Sequence, residues 1–539
     1  MCAQNGRTLQ TELFAKAAPK PRTPISFERH LHDVFGFTDF RHGQRMLIEA
    51  IASGRDALGV MPTGGGKSLC FQLPALALDG VAIVISPLIA LMKDQVDALK
   101  AKGVAAEAFN SALSMAEKSE ILRKLEAGLI RLLYIAPERI QSDGFITRLK
   151  RVKISFLAVD EAHCISHWGH DFRPDYMRLN ELRTALGNPP CIALTATATK
   201  RVQDDIVARL KLRDPARVVT GFHRPNLSFE VRHCASRSTK VSELRSLIGQ
   251  ATVDGGNAII YAATRKNVEW LASALNQAGI RTGYYHAGLN DDERDAVQDH
   301  FFNSKLKVLV ATNAFGMGID KSNVRLVAHF DIPGSMEAYY QEAGRAGRDG
   351  APARCVLLFN HADVATQEFF IDKGEDAQSE IGKSLLKQLV RYAYGKDCRE
   401  HMILDYFGDE DALAIQRCER CDRCRTNEEV LIEVSDRAQS GGHDILRCVD
   451  RMGGRFGKSR VAEVLKGSNS AAVRTMGLKH LPTYGLLRGW TLAEIRGLLD
   501  QLVESRYLEV NGLEYPVVGL SAAGREALKS GAKLLVKKR

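Results

Sequence analysis

GVMPTGGGKSLC, Gly59 to Cys70, sets an apolar strand end against three successive glycines, a lysine, a serine and the start of a second apolar run. This order of strand, glycine turn and helix lets backbone N–H groups curl around phosphate oxygens, because Gly64, Gly65 and Gly66 carry no Cβ to block the approach. Lys67 is then expected to reach the β- and γ-phosphates and Ser68 to ligate Mg²⁺, with Met61, Pro62 and Thr63 forming the rest of the cradle. Met61 stands where the G-x-x-x-x-G-K-S pattern has its first glycine. A glycine-rich turn with no ligand is the competing reading.

A second stretch bears on that choice. The apolar run FLAV ends in Asp160-Glu161, so both carboxylates emerge at the carboxyl end of a strand, where open parallel sheets bind their ligands. Asp160 is expected to hold Mg²⁺, and Glu161 to orient or deprotonate an attacking water. Phosphoryl transfer also needs positive charge for its transition state, and QEAGRAGRDG supplies Arg345 and Arg348. Three residues apart, they share one face if helical. Arg348 is the expected finger and Arg345 a phosphate or coupling contact, against the plainer reading of a surface pair.

Outward from these motifs, short continuous apolar runs alternate with helical patterns, as in parallel sheets buried on both faces. DALGVM, VAIVIS, RLLYIA, FLAVD and CIALTAT form one set; NAIIYAAT, GYYHA, KVLVAT and LVAHFD form another. The fold expected is α/β, with two tandem doubly wound parallel-sheet domains joined near GFHRPN, residues 221 to 226, where Gly, Pro and Asn break the pattern. Helical periodicity dominates beyond Phe359 as far as CERCDRC. Cys398, Cys418, Cys421 and Cys424 are spaced C-x19-C-x2-C-x2-C, four soft thiolates able to close a tetrahedral structural Zn²⁺ site, with a redox pair as the competitor. Near the end, YLEVNGLEYPVVGLS places two β-rich runs around Asn511-Gly512, the pair favoured by a tight type I′ hairpin. Helices followed by a hairpin suggest a winged helix, against a helical bundle with a stray hairpin.

At 539 residues the chain is longer than one core supports. Hydrophobic residues make up 45% and charged residues 26%, and no apolar run is long enough to span a bilayer. The polar first residues show no secretory signal pattern. The net charge of +10 favours anionic partners. Half of it lies from Thr426 onward, where 18 Lys and Arg face 13 Asp and Glu, marking a basic C-terminal module. Eleven cysteines, an odd number in a long chain, point to a reducing compartment rather than a disulfide framework.

FRHGQ, MPTGGGKS, SPLIALMKDQV, LLYIAPER, DEAHCISHWGHDFRP, ALTATAT, YYHAGL, ATNAFGMGID and YYQEAGRAGRDG, in this order, resemble the RecQ helicases of superfamily 2 from about Phe27 to Gly524. The resemblance implies two RecA-like domains, a helical zinc-binding subdomain and a winged-helix domain. The expected bounds are 1–25 for a flexible lead-in, 26–222 and 223–360 for the two helicase domains, 361–428 for the zinc subdomain and 429–539 for the winged helix with its basic tail. It implies ATP, Mg²⁺ and Zn²⁺ as cofactors and 3′→5′ movement on single-stranded DNA. Single-stranded and branched duplex DNA, a single-strand-binding protein and other repair factors are the implied partners, with no membrane. The implied location is the nucleoid-bearing cytoplasm of a bacterium or the nucleus of a eukaryote.

His167, Trp168, His170, Phe172 and Arg173 would form the family's aromatic-rich loop, which senses single-stranded DNA. Stacking aromatics and a cation a few residues from Asp160 and Glu161 suit that role, against core packing of Trp168 and Phe172. Arg41 and Gln44 would read adenine; Gly316, Gly318 and Asp320 would line the interface near nucleotide; His286 would face DNA. Ser86 to Gln95 and Thr195 to Thr197 would belong to the DNA track and interdomain coupling. Arg455, Lys458, Arg460 and Lys466 are candidate duplex phosphate contacts. The chain leaves no room before Arg539 for the further C-terminal helical domain that many relatives carry. Other readings are a winged-helix regulator with a nucleotide switch, an RNA helicase, and a motor that anneals strands or displaces proteins.

Overall fold

A computed structural model describes residues 27–141, 143–169, 171–316, 321–373, 376–409, 414–425, 431–433, 435–511 and 517–537. The first sheet contains β1 (Ala57–Val60), β2 (Val81–Ile85), β3 (Ala106–Phe109), β4 (Leu132–Ile135), β5 (Ile154–Val159), β6 (Cys191–Thr195) and β7 (Ala216–Val219), in the order β3-β4-β2-β5-β6-β1-β7. Every pairing is parallel. All residues of β1, β2, β4 and β6 are buried, which is why they read as unbroken apolar runs. The edge strands β3 (AEAF) and β7 (ARVV) are only partly buried, and they are absent from the runs picked out by hydrophobicity.

The second sheet comprises β8 (Leu227–His233), β9 (Asn257–Tyr261), β10 (Thr282–Tyr285), β11 (Val308–Ala311), β12 (Val324–His329) and β13 (Ala353–Phe359), ordered β10-β11-β9-β12-β13-β8 and again parallel throughout. β8 carries Glu230 within its span, and Arg354 of β13 pays for that buried carboxylate with an ion pair at 2.8 Å. The charge hides the strand from a hydrophobic reading. The nine strands expected from the sequence all form, and β3, β7, β8 and β13 complete the two sheets.

Helices Asp376–Tyr394 and Arg399–Phe407 follow, and Phe407 stacks on Phe222 of the connector at 4.3 Å between centroids. The C-terminal module has its own core, with Ile445, Leu446, Val461, Leu465, Ile495 and Leu499 buried between helices Asp436–Arg451, Lys458–Lys466 and Leu492–Glu504. Its wing is β15 (Leu508–Asn511) against β16 (Val517–Leu520), and β14 (Leu431–Glu433) pairs with β17 (Leu535–Lys537). Asn511 pairs with Val517, so the link between the strands runs over residues 512–516 and is not a two-residue Asn-Gly turn. Gly512 and Tyr515 lie outside the described residues. Among the described residues, no helix is long and apolar enough to cross a membrane.

Candidate functional site

The strand order brings the key motifs together. β5, β6 and β1 are neighbours, so Asp160, Thr195 and the glycine loop leave adjacent strand ends in one row. Met61 N–H donates to Thr195 O at 3.0 Å, and Asp160 N–H donates to Ile85 O at 2.9 Å. Gly64 and Gly66 both sit at φ +81°, the left-handed region that a side chain would strain. Lys67 Nζ donates to Met61 O at 3.2 Å, inside its own loop. Burial lowers the Lys67 pKa, while Glu161 and Asp160 oppose that shift.

Burial pushes the Asp160 carboxyl up to about 7, with Glu161 adding to the rise and Lys67 opposing it. Its Oδ1 accepts from Glu161 N–H at 3.0 Å. Glu161 occupies φ +47°, a left-handed conformation for a residue with a Cβ, which turns its carboxylate beside Asp160. Glu161 Oε2 is buried, accepts no hydrogen bond and lies 3.4 Å from His163 Nδ1. His163 Nδ1 is also 2.8 Å from Thr195 Oγ1, which ties the acids to the end of β6. Two crowded carboxylates, one held toward its neutral form, suit a divalent cation. Ser68, opening helix Leu69–Ala77, receives Gln95 Nε2–H on its Oγ at 3.4 Å.

The second domain closes on this loop. Helix Met336–Ala343 ends before the two arginines, so Arg345 and Arg348 sit in a run of turns instead of on a shared helical face. Gly347, at φ +55°, breaks the helical path between them. Arg348 Cγ stands 3.8 Å from the point a Cβ on Gly64 would occupy, and Arg348 also depresses the Lys67 pKa. Arg345 is buried, with Nη2 3.2 Å from the equivalent point on Gly316. Gly318 and Asp320 lie outside the described residues. Gln44 is buried, and its amide donates to Gly66 O at 3.1 Å while its Oε1 accepts from Arg41 N–H at 2.8 Å. Arg41, exposed, donates from Nη1 to Gly64 O. Both residues therefore brace the glycine loop.

The loop after the acids is largely self-satisfied. Trp168 is partly buried against the main core, and Arg201 lies 3.0 Å over its ring centroid. His167 stacks on Phe172 at 3.9 Å. Arg173 pairs with Asp171 at 3.1 Å and donates to Pro87 O at 3.0 Å, linking the loop to SPLIALMKDQV. The expectation of open stacking faces is thus met only in part, because the rings find partners within the chain. His170 falls outside the described residues. His286 departs further from expectation: it is buried, with Nε2 3.0 Å from Glu269 and Nδ1 accepting from Gly288 N–H, so it presents no face to a ligand.

Cys398, Cys418, Cys421 and Cys424 converge as a buried cluster. The described sulfur separations are 3.9 Å for Cys398–Cys421 and 4.0 Å for Cys418–Cys424. A tetrahedron with Zn–S bonds of about 2.3 Å has edges of about 3.8 Å, so the sulfurs fit that ion.

Family models match in the same order as the structural units. They are a DEAD/DEAH box helicase over residues 41–206, a helicase conserved C-terminal domain over 239–350, a RecQ zinc-binding domain over 361–425 and an RQC domain over 432–539. The ATP-dependent DNA helicase RecQ of Bacillus subtilis is 43% identical over 498 residues, covering 92% of this chain and 82% of its own. The chain belongs to the RecQ family. The RecQ of Pasteurella multocida is 39% identical, over 89% of this chain and 74% of its own. Among solved structures, the Mycobacterium smegmatis helicase Lhr bound to single-stranded DNA and AMP-PNP shares the fold at a TM-score of 0.51 and 18% identity, covering 94% of this chain and 62% of its own.

In this RecQ-family chain three of the four winged-helix cations are spent internally. Lys458 pairs with Asp500 at 2.6 Å, Arg460 pairs with Glu463 at 2.5 Å, and Lys466 donates to Arg488 O and Trp490 O at 2.7 Å. Arg455 is exposed. Sequence reading passed over Arg224 and Asn226 of the connector, which bond main-chain carbonyls around Arg348. A carbonyl partner leaves no mark in the sequence; the only signal was the polar break at GFHRPN.

Proposed function

We propose that this chain is an ATP-dependent DNA helicase that moves 3′→5′ along single-stranded DNA and unwinds the duplex ahead of it. The observation that carries this reading is the meeting of Lys67, Asp160 and Glu161 of the first sheet domain with Arg348 of the second at one cleft. A triphosphate seated on the glycine loop has a charge from each domain upon it. Binding therefore draws the domains together and hydrolysis releases them.

In this reading Lys67 leaves the Met61 carbonyl for the β- and γ-phosphates, and Glu161 aligns the attacking water with its unbonded Oε2. Arg348 is the finger, and Arg345, against Gly316, couples the second domain to the same event. Ser68 and Asp160 would hold Mg²⁺, which supplies charge neutralisation at the phosphate oxygens. Arg41 and Gln44 set the shape of the glycine loop at its adenine side. Cys398, Cys418, Cys421 and Cys424 hold a structural Zn²⁺. Single-stranded and branched DNA are the ligands, with a single-strand-binding protein among the repair partners, in the bacterial nucleoid or the eukaryotic nucleus.

The aromatic loop gates the cycle. A base that stacks on Trp168 must displace Arg201, and the loop's start is tied to the acids by Ser166 N–H donating to His163 O at 3.1 Å, with His163 Nδ1 3.4 Å from Glu161. ATP hydrolysis by wild type and Trp168→Ala, with and without single-stranded DNA, tests this. Strong stimulation in the wild type, lost in the variant while ATP-analogue binding persists, is the expected result. No stimulation of the wild type would overturn the helicase reading.

A further inference from the structure

Arg224 sits in the connector between the two sheet domains, partly buried, and among the described residues its guanidinium bonds only to main-chain carbonyls. Nη2 donates to Ala346 O at 3.1 Å and Gly347 O at 3.4 Å, and Nη1 donates to Gly344 O at 3.3 Å. Nη1 also crosses the cleft to Thr63 O, in the glycine loop, at 3.5 Å. One side chain therefore grips the turn that carries Arg345 and Arg348 and touches the phosphate cradle as well.

Its neighbours strengthen the first grip. Asn226 Nδ2 donates to Gly347 O at 2.8 Å and to Ala351 O at 3.0 Å, and Tyr340 Oη donates to Phe222 O at 2.6 Å. A Cβ on Gly347 would run into Asn226 Nδ2, so glycine at this position keeps the connector tight against the turn. Three of Arg224's four bonds lie on the turn side, and the single loop-side bond is the longest. If the cleft opens, the longer and single Thr63 contact is the one expected to break, leaving Arg224 with the turn of Arg348.

We infer that Arg224 is a positioning residue for hydrolysis, clamping Thr63 of the glycine loop to the Arg348 turn in the closed cleft so that loop closure and finger placement occur together. The inference rests on the ATPase reading above. Its action is through Arg348 and the loop backbone, without contact to nucleotide.

The test compares wild type, Arg224→Ala and Arg224→Lys. It measures AMP-PNP affinity, AMP-PNP-driven closure by energy transfer between dyes on the two sheet domains, and the KM and kcat of DNA-stimulated ATP hydrolysis. In Arg224→Ala, AMP-PNP affinity is expected to persist while closure is lost and kcat falls roughly 10- to 100-fold at little-changed KM, the cost of a finger misplaced by about an ångström. Arg224→Lys, a point charge without the planar fork, recovers only part. Unchanged closure and kcat in Arg224→Ala would overturn the clamp. So would a joint fall in AMP-PNP affinity, DNA binding and melting temperature, which marks general structural support. A wild type without DNA-stimulated hydrolysis defeats the helicase reading instead, and closure by AMP-PNP still decides for or against the clamp.

Discussion

Replacing Cys421 with serine removes one of the four proposed Zn²⁺ ligands, at the most deeply buried corner of the thiolate cluster. The sulfurs stand 3.9 and 4.0 Å apart, near the tetrahedral edge, so an ion bound there would put its free energy into holding the fold. A structural Zn²⁺ contributes about 10–16 kcal/mol, against a total domain stability of about 5–15 kcal/mol. Ile415 packs against the four sulfurs, while Arg399 pairs with Asp422 at 2.9 Å and Ile403, Leu404 and Phe407 anchor the preceding helix in the main core. Loss of the ion should therefore unfold the turn around residues 414–425 and loosen helix Arg399–Phe407, which the main core still holds through Ile403, Leu404 and Phe407. The damage would extend to the cleft. Glu400 receives His223 of the connector at 2.8 Å, and Tyr406 Oη donates to Glu337, at the start of the helix leading to Arg345, at 2.6 Å. Zinc content, limited proteolysis and DNA-stimulated ATPase on Cys421→Ser should show a zinc-free protein cleaved near the cluster, with kcat down roughly 10- to 100-fold as the finger loses its support. AMP-PNP affinity should survive, because the glycine loop belongs to the first sheet domain. A zinc-free variant with wild-type protease resistance and kcat would refute this reasoning.

Glu161→Gln should keep AMP-PNP and DNA binding while hydrolysis falls about 10²- to 10⁴-fold, the range for a lost general base; turnover near wild type in a quenched-phosphate assay would remove Glu161 from that role. Lys67→Ala should likewise abolish turnover with the fold intact by circular dichroism. The Asp160 carboxyl is raised from the ordinary carboxylate range to about 7, so a proton occupies it below that pH and Mg²⁺ must displace the proton. The Mg²⁺ concentration for half-maximal ATPase should then fall as pH rises toward 7, by up to about tenfold per unit, and level off above it; a flat dependence on the acid side would contradict the assignment.

What could be read from the sequence was chemistry at short range. The glycine loop, Asp160-Glu161 and the cysteine spacing each compress several chemically restricted residues into one stretch, and the fully buried strands announce themselves as apolar runs. Partly buried or charge-bearing strands do not: β7 alternates buried and exposed residues, and β8 carries Glu230, whose cost is met by Arg354 across 124 positions of sequence. The helical face proposed for Arg345 and Arg348 failed because Gly344 and Gly347 end the helix there. The winged-helix lysines looked available because their partners, Asp500 and the Arg488 and Trp490 carbonyls, lie 22 to 42 positions away.

The same limit hid how the site is governed. Two sets of contacts meet at the glycine loop, and neither is local in sequence. Within the first domain, Ser166 N–H, just before the aromatic loop, donates to His163 O at 3.1 Å, His163 Nδ1 lies beside Glu161 and Thr195, and the Thr195 carbonyl holds Met61 at the glycine loop's start. From the connector, Arg224 reaches Thr63 two residues further on and, on its other side, the turn of Arg348. The glycine loop is thus held near one end by the strand row that carries Asp160 and Thr195 and by the connector between the two domains. In the proposed cycle, a strand at Trp168 and a triphosphate at Lys67 would therefore act on a single short segment of backbone, Met61 to Gly64. Coupling between DNA and hydrolysis in that cycle would need no longer path than that.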